Sequence, residues 1–408
     1  VFVVINILSN RSEWTFYFLS SVQFNFTISE DKKILKRVNY WVTIGIVLII
    51  CIGIFTWWNN SKKKTPHHKL KPQPALIDNT STRPASYPTK EFKNLLSQNY
   101  PDIYKNLNFK QKPTFYVIPG LIQSAAIKYT PPGQGQPGIA YDMDPQGLAI
   151  IDHKYLIISA YSKSKTFDSV LWVLDFKTGR FVKTIALNNI DHVGGITYDE
   201  DHKRLWVATI NQEQRAQVQS VPLKEIEKYN FKKQKKPIKF EHGTNLSAPL
   251  RTSYMTYHKN KLYIGYFDKV QGGQLFAYKL NKKGLFKKDK MQDGLALPSE
   301  NWSTYSQIQG ISFDKNDILL STSYGDLNSQ LLIFKNKLNK PNYNLDLSEA
   351  DKTIILPPYM EQIIGKDGEI YMLFESATAL YRQNPNLLHM DRVIKLKVKF
   401  KGLENSKE

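Results

Sequence analysis

One pattern recurs five times between residues 145 and 374, and it restricts the fold more than any other feature of the chain. A polar residue and a small residue lead into an apolar–small–apolar strand, then Asp or a turn, then a second strand. The first copy is PQGLAIID from Pro145 to Asp152, followed by YLIISAY from Tyr155 to Tyr161. The second is VGGITYD from Val193 to Asp199, then RLWVAT from Arg204 to Thr209. A weaker copy runs from Thr252 to His258 and from Lys261 to Tyr266. The fourth is IQGISFD from Ile308 to Asp314, then DILLSTS from Asp317 to Ser323. The last is Met360 to Gly365, then Glu369 to Phe374.

Further strands follow each pair. In the first repeat they are Ser169 to Asp175 and Arg180 to Ala186, and later third strands are Gln274 to Tyr278 and Gln330 to Phe334. Four strands in a period of about 48 to 59 residues is the size of one propeller blade. The residue types agree. An innermost strand lines a crowded axis, where small residues such as Gly147, Ala149, Gly195, Gly310 and Ser312 permit close approach. A second strand held between neighbouring blades is apolar on both faces, as in Leu156-Ile-Ile and Leu319-Leu. The expected fold is therefore all-β, a propeller of about five four-stranded blades spanning residues 113–400, with a tail at 401–408. A sixth blade has room between Phe115 and Tyr129. Alternatively, Tyr116 to Ile118 adds an outer strand to the last blade beside Arg392 to Val398 and closes the ring. The one helix-period window in this region lies near Pro222 to Tyr229.

The steps Gln146-Gly-Leu-Ala and Gln309-Gly-Ile-Ser-Phe-Asp resemble the blade-opening motif of bacterial propellers of the lactonase-like and strictosidine-synthase-like kind. The resemblance covers roughly 290 residues and implies the fold; propellers host many unrelated functions. In lactonase-like members it also implies a calcium ion in the channel mouth, held by Glu, Asn and Asp from different blades. Asp144 and Glu361 would then be metal ligands, with Gln146 and Gln309 as amide-oxygen ligands. No Asn or second Asp stands at the matching positions.

Aligning the repeats places Gln146, Gly194, Ser253, Gln309 and Glu361 at one equivalent position, where inner strands converge on the mouth. Asp144, His192, Arg251 and Gln307 fall just outside it. Gln146, His192, Arg251, Ser253, Gln309 and Glu361 are the candidate ligand-binding set. Three readings of this ring stay open: a hydrogen-bonded ring that satisfies inner-strand backbone, a noncatalytic binding site with no cofactor, and an acid–base site using His192 and Glu361. No catalytic residue is assigned.

Other motifs carry less. Asp152-His-Lys154 and Asp201-His-Lys203 fall between strands and read as hairpin turns. The run from Gly133 to Gly138 lacks the following helix and Lys-Ser/Thr of a phosphate loop. There is no G-x-S-x-G and no H-E-x-x-H. One cysteine in 408 residues excludes a disulfide scaffold and any multi-cysteine zinc site.

Residues 41–58, WVTIGIVLIICIGIFTWW, form an uncharged apolar run flanked by Tyr40, Trp41, Trp57 and Trp58. That is the signature of a transmembrane segment with interfacial aromatics. A short arm (1–40), one span and a long folded region make the plan of a signal anchor with the propeller outside the cell membrane. Residues 59–112 hold eleven Lys or Arg against three acids and are punctuated by proline, as in a basic linker. Within it, Glu91 to Tyr104 has the spacing of a short helix with Phe92, Leu95 and Leu96 on one face. Basic runs at Lys224–Lys239 and Lys279–Lys290 suit an anionic cell-wall polymer such as teichoic acid, or simply a solvated face. The expected partners are thus the membrane and a wall polymer or envelope protein. Nothing resembles a nucleic-acid-binding motif, although the net charge is +20. The reading that follows is a surface-anchored binding or scaffolding protein of the bacterial envelope; the alternative is a calcium-dependent lactonase-like hydrolase.

Overall fold

The computed structural model describes residues 83–131 and 135–397. The arm, the expected membrane span at 41–58, the start of the linker and the tail at 401–408 lie outside these residues, as does part of the Gly-rich loop. Among the described residues no helix is long and apolar enough to cross a membrane.

Five sheets are the blades, antiparallel throughout except for one parallel edge pairing, Leu246↔Ala296, in the second. Blade 1 consists of Met143–Ile151, Tyr155–Ser162, Val170–Asp175 and Phe181–Ala186 in that order from the axis outward. Blade 2 runs Ile196–Asp199, Arg204–Ile210, Ala216–Pro222 and His242–Leu246, and is extended at its edge by Leu295–Ala296 and Met291–Gln292. Blade 3 is Tyr254–His258, Lys261–Gly265, Gly273–Lys279 and Glu300–Thr304. Blade 4 is Ile308–Asp314, Asp317–Thr322, Ser329–Lys335 and Lys352–Leu356. Blade 5 takes Met360–Lys366, Glu369–Phe374 and Arg392–Lys397 from the C-terminal end and Phe115–Val117 from the start of the domain. The register Phe115↔Ile394, Tyr116↔Val393, Val117↔Arg392 stitches the two ends of the ring together. Ser124–Ile127 pairs only with Pro137–Ala140, so the sixth blade considered for this stretch is a two-stranded hairpin instead.

Five apolar clusters fill the five junctions between adjacent blades. One joins Leu148, Leu156 and Trp172 of blade 1 to Tyr371, Leu373 and Val393 of blade 5. Others join blades 1 and 2, 2 and 3, 3 and 4, and 4 and 5. The second strands explain why the ring needs uninterrupted apolar runs. Leu156 and Ile158 enter the junction with blade 5, whereas Ile157 between them enters the junction with blade 2. Alternate side chains thus serve two cores, and neither face can be polar.

The segment expected to be an extended linker is structured from residue 83. Helices Thr89–Asn99 and Pro101–Asn106 bury Phe92, Leu96 and Ile103 against blades 4 and 5. Arg392, fully buried, fastens them: its guanidinium bonds Asp391 at 2.7 Å and the carbonyl of Tyr87 at 2.5 Å, and lies over the Phe92 ring. The apolar face read from Phe92 and Leu96 is a docking face, and Leu95 stays outside it.

Candidate functional site

The inner strands carry a structural device that the repeat only hinted at. In blade 1, Pro145 pairs with Ala160 and Gly147 with Ser159, which leaves Gln146 as an extra, bulged residue. In blade 4, Ile308 pairs with Thr322 and Gly310 with Ser321, which leaves Gln309. In blade 5 the shift falls between Met360 and Ile363 and frees Glu361. A bulge re-aims a side chain and recurs beside functional sites. Here three bulges turn Gln146, Gln309 and Glu361 into one cavity of about 780 Å³ at the end of the axis.

Buried serines hold these bulges. Ser159 Oγ accepts from Gly147 N–H (2.9 Å) and donates to the carbonyl of Val193 on blade 2 (2.6 Å). Ser321 Oγ donates to the carbonyl of Glu361 on blade 5 (2.8 Å). Glycine is required between them: a Cβ at Gly310 would lie 2.2 Å from Gln362 Oε1 and 2.7 Å from Ser321 Oγ. Gln362 in turn reaches from blade 5 to the carbonyl of Met255 on blade 3 (3.4 Å). It lines a separate cavity further along the axis, so it lies between that space and the mouth.

All six candidate residues, Gln146, His192, Arg251, Ser253, Gln309 and Glu361, line the mouth. Asp144 does not. It is 2% exposed and forms an ion pair with Lys163 Nζ at 3.1 Å. Gln307, expected beside the ring, turns away and donates to the carbonyl of Lys269. His192 packs its ring on Tyr161 at 4.4 Å, and no hydrogen bond joins it to Glu361 among the described residues.

Several site residues lay outside the aligned motif. Lys163, Ser323 and Glu375 each stand one position beyond a second strand, on blades 1, 4 and 5, and all three line the mouth. That common offset was readable in the sequence. Tyr359 and Tyr381 pack against one another at 4.1 Å with their rings tilted by 34°, beside Glu375, and neither belongs to a repeat.

The charges in this space are poorly compensated. Glu361 is pushed well above the usual carboxyl range, first by burial, then by repulsion from Glu375 and Asp144, with Lys163 opposing. Glu375 is pushed up to about 7 by burial and by Asp144, against Lys163, Tyr381 and Gln146; Gln146 Nε2 donates to it at 3.0 Å. Burial also raises Asp144, although Lys163 counteracts it. Burial works against the Lys163 charge too, yet Tyr161 and Asp144 together raise its pKa; its Nζ donates to Tyr161 Oη at 2.9 Å. His192 keeps an exposed edge, but enclosure of its ring in the concave mouth, with Lys163 and Lys165 nearby, lowers it to about 4. It is neutral at pH 7. Lys163, Lys165 and Arg251 all line the mouth, but Lys163 is the one cation that acts on Glu361, Glu375 and Asp144.

Comparison with protein-family models gives no match, and neither does comparison with curated protein sequences. Solved structures of similar shape include a glutaminyl cyclase from Myxococcus xanthus, 13% identical over 63% of this chain and 91% of that one, with a TM-score of 0.40. A glucose dehydrogenase is 10% identical over 70% of this chain and 99% of its own, TM-score 0.34. BamB from Moraxella catarrhalis is 10% identical over 62% of this chain and 59% of its own, TM-score 0.29. The five-bladed assignment rests on the sheets and junctions described above.

Proposed function

We propose that the mouth is a noncatalytic ligand-binding site on an envelope-anchored propeller. The observation that carries this is the bulge-borne ring: three inner strands give up regular pairing to turn Gln146, Gln309 and Glu361 into one space. A ring that merely satisfied its own backbone would not keep carboxyls there with raised pKa values. Wide cavities lined by a few convergent polar groups and aromatic walls are the ordinary form of binding sites.

The calcium-dependent hydrolase reading fits less well. Calcium wants roughly six to eight oxygen ligands, with carboxylates ionised. Asp144 is already paired with Lys163, and Glu375 already accepts from Gln146, one of the amides the calcium reading would use. Among the described residues no three His, Cys, Asp or Glu side chains form a metal-holding cluster.

The test is thermal stability of the full chain in detergent against fractionated wall polymers, peptides and small polar molecules, each with EDTA and with added calcium. The proposal predicts a fraction that raises the melting temperature of the native chain but not of Arg251→Ala, with no need for calcium. Turnover of a lactone or phosphoester that requires calcium and is lost in Glu361→Gln would reverse the assignment.

A further inference from the structure

We propose that the mouth captures a polypeptide loop, taking a Lys or Arg side chain against Glu361 and Glu375 while apolar neighbours of that residue seat on the rim. This rests on the reading of the mouth as a binding site and names its ligand class.

Two independent observations meet here. The first is charge. Glu361 and Glu375 line the cavity and Asp144 lies buried beside it; of the lining cations Lys163, Lys165 and Arg251, Lys163 is the one that acts on these carboxyls, and each of them is raised first by burial. A second cation entering that space would restore the ionised carboxylates and gain charge-assisted hydrogen bonds. The tilted Tyr359–Tyr381 pair beside Glu375 offers aromatic surface to the stem of a long basic side chain.

The second is the rim. Leu250 is 86% exposed, Val270 82%, Leu327 70% and Leu380 56%. Each adjoins a mouth-lining residue in the chain or shares its loop: Leu250 precedes Arg251, Val270 follows Phe267, Leu327 follows Gly325, and Leu380 precedes Tyr381. They come from blades 3, 4 and 5, so they edge the mouth on one side and do not form a single loop tip. Exposed apolar residues gathered around a polar pocket mark an interaction surface. Arg251 is exposed and has no carboxylate partner among the described residues, so it suits an acidic group flanking the inserted side chain. A bilayer surface would meet this face with anionic headgroups first, and would desolvate the carboxyls without compensating them.

The test uses the full chain in detergent and three fluorescein-labelled, capped peptides of sequence Gly-Leu-X-Leu-Gly, with X as lysine, norleucine or glutamate. Anisotropy titration at pH 7 should give the lysine peptide about tenfold tighter binding than the norleucine peptide, the worth of one charge-assisted contact. Glu361→Gln should abolish that preference while the melting temperature shows the fold intact. Leu250→Ser with Leu327→Ser should weaken all three peptides together and keep the preference. Equal affinity for lysine and norleucine would overturn the proposal. So would quenching, by quencher lipid in nanodiscs, of a fluorophore at Leu327→Cys in a Cys51→Ala background, because the face would then lie on lipid. Either failure leaves the broader binding site testable, since another fraction can still stabilise the native chain in an Arg251-dependent way.

Discussion

The two ends of the propeller axis are built from the same five strands and treat most of their charge in opposite ways, Asp314 at the far end being raised by burial like the mouth carboxyls. At the far end, Tyr198 donates to Asp152 at 2.8 Å, Lys203 pairs with the same carboxylate, Tyr257 donates to Asp201, and His153 meets Asp367 at 2.5 Å. Burial opposes the Asp152 charge, but Tyr198 and Lys203 outweigh it and its pKa is lowered. At the mouth, Glu361, Glu375 and Asp144 are all raised. The far cavity is about 390 Å³ and the mouth about 780 Å³. A fold keeps buried, raised carboxyls where function offsets the loss of stability, and the proposed binding site rests on this contrast.

The sharpest way to break the contrast is Lys163→Met. It removes the cation from Asp144, which is almost fully buried, and should cost about 2–3 kcal/mol in urea denaturation at pH 7. Gly310→Ala comes next: its Cβ overlaps Gln362 and Ser321, and the squeezed bulge should cost about 1–3 kcal/mol. A smaller effect is expected from pH. The folded Glu375 titrates at about 7 against a reference near 4.5, so the folded state holds this proton more tightly. Its contribution to stability is full below the reference value, falls as pH rises through about 7, and stays lost above that. Glu375→Gln should therefore raise stability at pH 8 by roughly 1 kcal/mol and flatten this part of the profile. The smallest effect belongs to the far end. Lys203→Met breaks an exposed pair and should change stability by less than about 0.5 kcal/mol. If Lys203→Met proved as costly as Lys163→Met, the contrast would fail.

Much of the ring was legible because propeller blades impose strong local rules. Alternate burial of Leu156, Ile157 and Ile158 into two cores forces an apolar run, and the approach of Gly147 and Gly310 to neighbouring strands forces glycine. The closing strand at Tyr116 was also readable, since its apolar alternation has no other partner. The turns Asp152-His-Lys154 and Asp201-His-Lys203 are hairpins, as their place between strands requires. The six mouth residues followed from the aligned repeats, but the alignment carries no depth. It could not tell that Asp144 points beneath the mouth to Lys163, because a one-residue bulge at Gln146 changes which face each neighbour occupies. Glu375 and Lys163 stand at a common offset after their second strands, which an alignment of the inner-strand entries alone does not reach. The helix read over Glu91 to Tyr104 is present as two, Thr89–Asn99 and Pro101–Asn106, but its docking on the propeller was not legible, because the anchor, Arg392, stands some 300 residues further along the chain.

The most direct test of the account is the melting temperature of Glu361→Gln against the native full chain at pH 8. If the mouth keeps an uncompensated carboxyl for binding, the neutral amide relieves repulsion from Glu375 and Asp144, and the melting temperature rises or stays level. If Glu361 instead completes a structural ring, the substitution leaves buried partners unsatisfied. A fall of several degrees would then contradict the account.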